Sequence, residues 1–555
     1  MSRLLCSLLT VLLFVGSPAW AQSDEASGDD PGVLVLAPDR GFLGNEKTRD
    51  VVDDFREHAA NVGLAFATYE ETTANLNEAL SGVDTEHGAV VLPLFLSSHH
   101  ALYRTARAAM PSVEGGVTWA DPFGTSYLSE EVLFDRVAAL SEQPKEEAVV
   151  VIGYGATDST EADSIRTDLQ ASAQRAAEKY GLAGGGQVVV QYTRSAPEEA
   201  SRAAIGRATK TVKAAAGEHE RVLVVPYNLG MQYTSMMSSW SWMKRPIQSV
   251  EGVMASGEGV LPHRNVERWL RRTTTVHRPL SPDEVGVLAV PHGSEYNWNE
   301  TMRAGLAPLT DDYNIAEAFS MVDPPVVERA VRQLERDGMK AAVMVRIFSM
   351  ESSFQEKSHY ILGLQNDFGV SIMGERFPER IRTHMQMTTL GGLEASPHFA
   401  KGLLDRAQAI STNPSEETLI LLAHGTGSDK ENAHWMNNLH AIADTMRAHG
   451  GDAFRDIKVH TWREDWPEKR EETIPEIQQM VREAAETGTA LVVPARTTSQ
   501  GRASQYLDGL DYRYSKGFAP HPQFEKWMRE QIETGIKRLQ AAPRPEPSVP
   551  SAERP

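Results

Sequence analysis

The chain has 555 residues, a formal net charge of −20 and a hydrophobic fraction of 41%. This length is enough for two or more domains with cores of their own, and the mixed charges are typical of a globular protein. The acidic excess argues against nucleic-acid binding, which needs a basic surface, although local arginines can still bind a small anion.

The N-terminus has the pattern of a secretory signal peptide. Arg3 supplies a positive charge, residues 4–15 form a short apolar stretch, and AWA at 19–21 is a small-x-small cleavage site. We therefore predict a signal peptide over residues 1–21 and export to the periplasm or the medium. The polar leader QSDEASGDD follows, over residues 22–30. No other stretch is apolar and long enough to predict a membrane span.

The rest of the sequence contains an internal duplication. EVLFDRVAALS at 131–141 matches KGLLDRAQAIS at 401–411, an offset of 401 − 131 = 270 residues. VLVLAPDRG, from residue 33, likewise matches VLAVPHGS, from residue 287. Such self-similarity predicts tandem copies of one structural unit. The predicted boundaries are a first domain at 31–250, a linker at 251–282, a second domain at 283–535 and a disordered proline-rich tail at 541–555.

Short apolar strands alternate with amphipathic helices in both predicted domains. In DPPVVERAVRQLERDG, Asp323 suits the N-cap, proline follows in the first turn and Gly338 suits the stop. This alternation predicts an α/β fold of parallel βαβ units. Each domain is expected to consist of two pseudo-symmetric halves with a parallel sheet flanked by helices. Ligands of such folds bind beyond the carboxyl ends of the strands.

Histidines occur at the predicted ends of several strands. His292 and His424 each follow an apolar strand and precede a glycine, and His99 and His100 follow another strand. A packed or surface turn would explain each case, but the repetition also fits metal ligation. Cys6, the only cysteine, lies in the predicted signal peptide, so a metal would need His, Asp, Glu or water. Imidazole suits divalent cobalt, iron, nickel or zinc.

Several of these strings resemble a known family. VPHGS with WNE, PLFLSSHH, and LLAHGTG with ENAHW are similar to motifs of the class II chelatases. The closest resemblance is to sirohydrochlorin cobaltochelatases and ferrochelatases of the CbiX and SirB type, and it covers most of residues 31–535. It implies two chelatase-like domains and a lyase that inserts Co²⁺, Fe²⁺ or Ni²⁺ into a tetrapyrrole macrocycle held between the halves. The metal and the tetrapyrrole would then be the partners of the protein.

The resemblance also implies site residues, with departures from the family pattern. Asp39 stands where the first domain should carry the first histidine, and Glu351 follows the RIFSM strand where a histidine is expected. The implied residues are His292 and His424 for catalysis, His292, Glu351, His99, His100 and Asp39 for metal, and Arg496 and Arg502 for the tetrapyrrole. Taken singly, each arginine fits a solvated surface charge better than a binding role. For His292, Glu351 is the first expected partner and His424 the second.

Two other functions fit the same sequence. The protein could be an exported carrier of metal or tetrapyrrole without turnover, because the histidine pairs are incomplete. A serine hydrolase is suggested by the string HGS, but the sequence has no G-x-S-x-G nucleophile elbow.

Overall fold

A computed structural model gives the arrangement of most of the chain. It describes residues 30–193, 195–230, 244, 247, 249–369, 374, 376–499 and 501–541. The predicted signal peptide, all but the last residue of the leader and all but the first residue of the tail lie outside these ranges. None of the described helices combines the length and the apolar character that crossing a bilayer requires.

Four units of one topology follow one another along the chain, and each contains a four-stranded parallel sheet. The strand order is second, first, third, fourth in every unit, so the first strand always lies inside the sheet. The first unit comprises β1 (Gly32–Pro38), α1 (Gly41–Arg56), β2 (Val62–Ala67), α2 (Thr72–Ser81), β3 (Ala89–Pro93), α3 (Ala101–Ala108), β4 (Val117–Trp119) and α4 (Tyr127–Ala138).

The remaining three units repeat this pattern. The second comprises β5 (Glu147–Ala156), α5 (Ser159–Tyr180), β6 (Gly186–Tyr192), α6 (Glu198–Glu218), β7 (Arg221–Pro226), β8 (Val253–Ala255) and α7 (Arg264–Val276). The third comprises β9 (Val285–Pro291), α8 (Tyr296–Leu306), β10 (Ile315–Glu317), α9 (Pro324–Arg336), β11 (Ala341–Ile347), α10 (Gln355–Ile361), β12 (Gln386–Gly391) and α11 (Pro397–Ile410). The fourth comprises β13 (Glu417–Ala423), α12 (Asp429–Ala448), β14 (Asp456–Thr461), α13 (Pro467–Thr487), β15 (Thr489–Pro494), α14 (Ala503–Tyr506), β16 (Arg513–Tyr514) and α15 (Pro522–Gln540).

The units pair into two domains because their apolar faces share cores. One buried cluster contains strand residues from both the first and the second sheet, including Val35 and Val151. A second cluster joins the third and fourth sheets in the same way, including Val287 and Leu421. The first strands β1 and β9 are buried along their whole length, as expected for interior strands of a covered parallel sheet. The predicted α/β class and its two-halved tandem domains are confirmed.

Equivalent contacts in the two domains support the duplication. On α4, the Arg136 guanidinium donates to the carbonyl oxygens of Gly259 and Pro262. On α11, Arg406 donates to the carbonyl oxygens of Gly517 and Pro520. The two arginines are 406 − 136 = 270 residues apart, the offset found in the sequence.

The segment at residues 251–282, which we predicted to be a linker, is instead part of the first domain. β8 extends the second sheet by pairing with β7. Helix α7 then buries Val266, Trp269 and Leu270 in the core of the first domain. These residues recur at helical spacing, so α7 has one apolar face and cannot stay solvated as a linker would.

Candidate functional site

His292 lies on a turn that fixes the orientation of its ring. It is exposed just beyond β9, and its Nδ1 lies 2.7 Å from the carbonyl oxygen of Gly293. A carbonyl can only accept, so Nδ1 carries the proton and the lone pair is on Nε2. Gly293 has φ +77°, and the next amide, of Ser294, donates to Asn299 Oδ1 at 3.0 Å. The asparagine of the WNE string therefore holds the turn.

His424 repeats this arrangement beyond β13. Its Nδ1 lies 2.9 Å from the carbonyl oxygen of Gly425, and the Thr426 amide donates to Asn432 Oδ1 at 3.3 Å. Gly425 has φ +76°, and a Cβ there would lie 2.8 Å from Cβ of Thr461. Glycine is therefore required both by the backbone conformation and by the close approach of β14. Each histidine thus presents Nε2 rather than Nδ1 for further contacts.

A carboxylate that the sequence interpretation missed lies beside these histidines. Asp465 Oδ2 is 3.1 Å from Nε2 of His424. The hydrogen bond from His424 is the main cause that lowers the pKa of Asp465; burial opposes it, and the charges of His424, His292 and Arg496 add to it. Both histidines are therefore within electrostatic reach of one ionised carboxylate, although they come from different halves of the second domain.

The acidic pair in WREDWP, after β14, was the available signal for this carboxylate. Glu464, the other member, is buried and pairs with the Arg496 guanidinium. Burial alone would raise the pKa of Glu464, but the charge and hydrogen bond of Arg496, with the charge of His424, lower it overall. The predicted tetrapyrrole-binding Arg496 thus lies near the histidines, with its charge balanced by Glu464. Arg502 is exposed, and its backbone amide donates to Glu464 Oε1 at 3.3 Å.

Aromatic rings surround both histidines. The His424 ring stacks on Trp435, with centroids 6.3 Å apart and an interplanar angle of 28°, and meets Trp466 edge-on at 6.0 Å. The centroid of the His292 ring lies 6.4 Å from that of Trp298. Tyr296, which begins α8, is 74% exposed, and Trp466 is 37% exposed. Exposed aromatic faces beside a polar centre are suited to stacking on a planar conjugated ligand.

The backbone of Glu351, the first expected partner of His292, is held by hydrogen bonds. Glu351 is exposed, and its backbone amide donates to Glu394 Oε1 at 2.6 Å. Glu394 also accepts from the Asn438 amide and lies 3.7 Å from Nε2 of His434. Among the residues that the structure describes, Glu351 has no hydrogen bond or ion pair with His292. The link to the second expected partner, His424, is electrostatic: the charge of His292 helps to lower the pKa of Asp465, which His424 contacts.

The corresponding cleft of the first domain is filled by an arginine. Asp39 Oδ1 accepts from the Gly41 amide at 2.9 Å and from Asn45 Nδ2 at 2.8 Å, so it holds the turn that precedes α1. The Arg40 guanidinium lies 4.4 Å above the ring of Tyr154. Its Nη2 is 2.8 Å from Nε2 of His100. A protein cation therefore stands between the two halves of this domain.

His100 and His99 differ in burial and in their hydrogen-bond partners. His100 is buried, and its Nδ1 accepts from the Leu102 amide at 3.1 Å as the N-cap of α3. Burial, with the charges of Arg40 and Arg104, lowers its pKa well below the ordinary value. His99 is exposed and lies 3.1 Å from Asp168. His100 is thus enclosed as a neutral structural residue, whereas His99 remains accessible.

Within the described ranges, the structure contains no group of three or more His, Cys, Asp or Glu side chains arranged to hold a metal ion. The donors of the second domain are therefore an exposed carboxylate, Asp465 at 71%, in contact with His424, and His292, which acts on Asp465 through its charge. One or two protein ligands hold a divalent ion weakly, so a metal at this place would keep open coordination positions.

Comparisons with known proteins add a distant likeness to solved structures. No protein-family model and no curated protein matches the sequence. Among solved structures, the sirohydrochlorin chelatase SirB from Bacillus subtilis subspecies spizizenii, solved in complex with cobalt, matches with 13% sequence identity and a TM-score of 0.32. The match covers 47% of this chain and 96% of that chain.

Proposed function

We propose that the protein is an exported tetrapyrrole metal chelatase that works through its second domain. Its substrates would be a divalent ion, Co²⁺ or Fe²⁺, and a sirohydrochlorin-like macrocycle. The observation that carries the proposal is the contact of His424 with Asp465, a carboxylate whose pKa the charge of His292, from the opposite half of the domain, also lowers. The exposed Trp466 ring beside His424 and the family-like motifs that contain the two histidines support it further.

The chemistry requires both a metal donor and proton acceptors. Two pyrrole N–H protons leave a macrocycle when one divalent ion enters, so a base beside the metal path is needed. Nε2 of His292 offers a lone pair to the incoming ion, because Nδ1 is committed to Gly293. His424 and Asp465 lie in contact and can hold a proton between them. We assign metal delivery to His292 and proton removal to the His424–Asp465 pair.

Loose metal binding suits this role. The ion is a substrate that must pass to the ring nitrogens, so a complete protein cage would trap it. A planar macrocycle could stack against the exposed Trp466, which meets the His424 ring, while its nitrogens approach the histidines. In the first domain, Arg40 occupies the corresponding place, and we assign no metal transfer to that cleft. The proposal that the protein is exported is supported by the signal-peptide pattern of residues 1–21 alone.

The test is a metal-insertion assay on the full mature chain. Sirohydrochlorin is mixed with Co²⁺, Fe²⁺ or Ni²⁺, and the change in ring absorbance on insertion is followed with and without protein. A rate above the uncatalysed background is expected, and it should fall towards background in His424→Ala but not in His449→Ala, an exposed histidine at the end of α12. Ring or metal binding without any added rate would instead establish a carrier.

A further inference from the structure

A strongly basic pocket lies between the domains of this acidic protein. It is an open cavity of about 410 Å³ at the start of α7, lined by Pro262, His263, Arg264, Arg268 and Arg382. Helix α7 belongs to the first domain, whereas Arg382 precedes β12 in the second. Neither His292 nor His424 lines this pocket, so it is separate from the cleft described above.

Two of the basic groups in the pocket are neutralised by neighbouring carboxylates. Arg382 pairs with Glu131 at 2.8 Å and also with Asp135. Asp135 is in addition 3.0 Å from Nε2 of His263. These contacts connect α4 of the first domain to the second domain. They do not involve Arg264 and Arg268, the other two arginines that line the pocket.

Arg264 and Arg268 differ from these two groups in their contacts. Arg268 Nη1 donates to the neutral amide oxygen of Asn265 at 2.9 Å. Over the part of the chain that the structure describes, neither arginine forms an ion pair with a carboxylate. The two lie four residues apart, so they project from the same face of α7.

Arg268 is a partly buried cation with other charges around it. Burial is the main cause that lowers the pKa of its guanidinium, and the nearby charges of Arg332 and Arg382 lower it further. Glu335 and Glu267 offset these effects only in part. A partly buried cation with like-charged neighbours is unfavourable unless an anion joins it.

We propose that this pocket binds a small oxyanion, the phosphate or carboxylate group of a metabolite, through Arg264 and Arg268. A guanidinium presents paired N–H donors that match two oxygens of either group. Two unneutralised arginines match the charge of a phosphate dianion or of a dicarboxylate. An anion bound here would contact α7 and Arg382 together, so its binding would also strengthen the association of the two domains.

The experiment is calorimetric titration of the full mature chain at low ionic strength with inorganic phosphate, pyrophosphate and citrate. We expect saturable binding of at least one probe, and its identity distinguishes a phosphate from a carboxylate ligand. Arg264→Gln and Arg268→Gln should each weaken affinity about tenfold or more, as expected for lost charge-assisted hydrogen bonds. Arg264 is exposed, so its variant should fold even if the Arg268 variant does not.

Arg482→Gln, which changes an exposed arginine on α13, is the matched control and should leave affinity unchanged. His292→Ala should also leave it unchanged, which separates this site from the metal cleft. Absence of binding by all three probes would overturn the proposal. So would equal affinity in the wild type and the Arg264 variant, or an equal loss in the Arg482 control.

Discussion

At the residue scale, His424 and Asp465 form the contact with the clearest chemical consequence. Nδ1 of His424 faces a carbonyl and Nε2 faces a carboxylate, so both ring nitrogens have hydrogen-bond acceptors as neighbours. The Asp465 carboxylate is therefore a base in direct contact with Nε2 of His424. The carboxylate of Asp465 is ionised at neutral pH, since the His424 hydrogen bond is the main cause that lowers its pKa, and it therefore has a lone pair with which to accept a proton that leaves the macrocycle.

Asp465→Asn therefore tests proton removal. The amide keeps the shape of the side chain but cannot act as a base, so the insertion rate should fall by about 100-fold or more. Affinity for the tetrapyrrole, measured by fluorescence quenching of the tryptophans, should change little. Asp452→Asn, a change at an exposed site in the turn after α12, provides the control. An unchanged rate in Asp465→Asn would remove this carboxylate from the mechanism.

His292→Ala tests metal delivery. Nε2 of His292 carries the lone pair that the contact of Nδ1 with Gly293 leaves available. Its removal should therefore lower the affinity for cobalt about tenfold or more. The fold should persist, because the side chain is exposed and contributes little to the core. Calorimetric titration with Co²⁺ would measure the loss, with His449→Ala as the reference. Equal cobalt affinities in the two variants would show that His292 is only a turn residue.

At the scale of elements, the turn after each first strand positions the histidines, and its glycine can be tested. Gly425→Ala should cost about 1–3 kcal/mol in the free energy of unfolding, because alanine is strained at φ +76° and its Cβ would meet Thr461. Gly206→Ala is the matched control: Gly206 lies within α6, and a Cβ there would meet nothing within 4 Å.

The control should stabilise the protein by about 0.5–1 kcal/mol, because alanine restricts the unfolded chain and suits a helix. Urea unfolding of both variants gives the comparison. Equal free energies of unfolding in Gly425→Ala and Gly206→Ala would show that the turn does not approach β14 as closely as the structure indicates.

The elements themselves were largely predictable, because strand and helix signals are local. Apolar runs of strand length, helical spacing in α9 and the offset of 270 residues together indicate four repeated parallel units. Helix α7 was missed because its four arginines hide a narrow apolar stripe, and β8 has only three residues. A short edge strand carries too little pattern to be recognised from sequence.

The site was only partly predictable for a different reason. His292 and His424 are marked by their glycine turns, which are local signals. Asp465 is 465 − 424 = 41 residues beyond His424, and only the pairing of β13 with β14 brings the two together. The position of the Arg40 guanidinium over Tyr154 depends equally on tertiary packing, so the sequence left Asp39, His99 and His100 open as ligands.

At the scale of the whole molecule, buried ion pairs join the two domains. Arg380 of the second domain is fully buried, and its Nη1 lies 2.6 Å from Glu130 Oε2 and 3.7 Å from Glu131 Oε1 on α4. Arg380→Ala should destabilise the protein by about 3–5 kcal/mol, because it removes the fully buried cation from this cluster and leaves Glu130 with Arg175 alone and Glu131 with Arg382 alone. Arg447→Ala, which breaks an exposed pair with Asp444, should cost no more than about 1 kcal/mol. Comparable losses in urea unfolding would contradict the buried interface.

A histidine between the domains predicts acid sensitivity. Nε2 of His384 lies 2.9 Å from Arg271 Nη2, and Nδ1 lies 3.2 Å from Glu335. Burial is the main cause that lowers the pKa of His384 to about 2, and the charges of Arg271 and Lys340 add to this effect. Above pH 6.5, the pKa of the unfolded chain, His384 is neutral in both states and the free energy of unfolding is unaffected. Below it, only the unfolded chain takes up the proton, so the free energy of unfolding falls by about 1.4 kcal/mol per pH unit.

Urea unfolding between pH 7.5 and about pH 5 would measure this loss. His384→Gln should give a shallower dependence on pH, because glutamine does not titrate. An identical slope in the variant would assign the acid sensitivity to other groups.

The most direct measurement is an anomalous difference map from crystals of the full mature chain soaked with Co²⁺. The proposed function predicts a cobalt peak at about 2 Å from Nε2 of His292, with His424 and Asp465 around it. It predicts no peak beside Arg40 in the first domain, where a protein cation already stands. A cobalt ion bound at His99 in the first domain, with none at His292, would contradict the central claim.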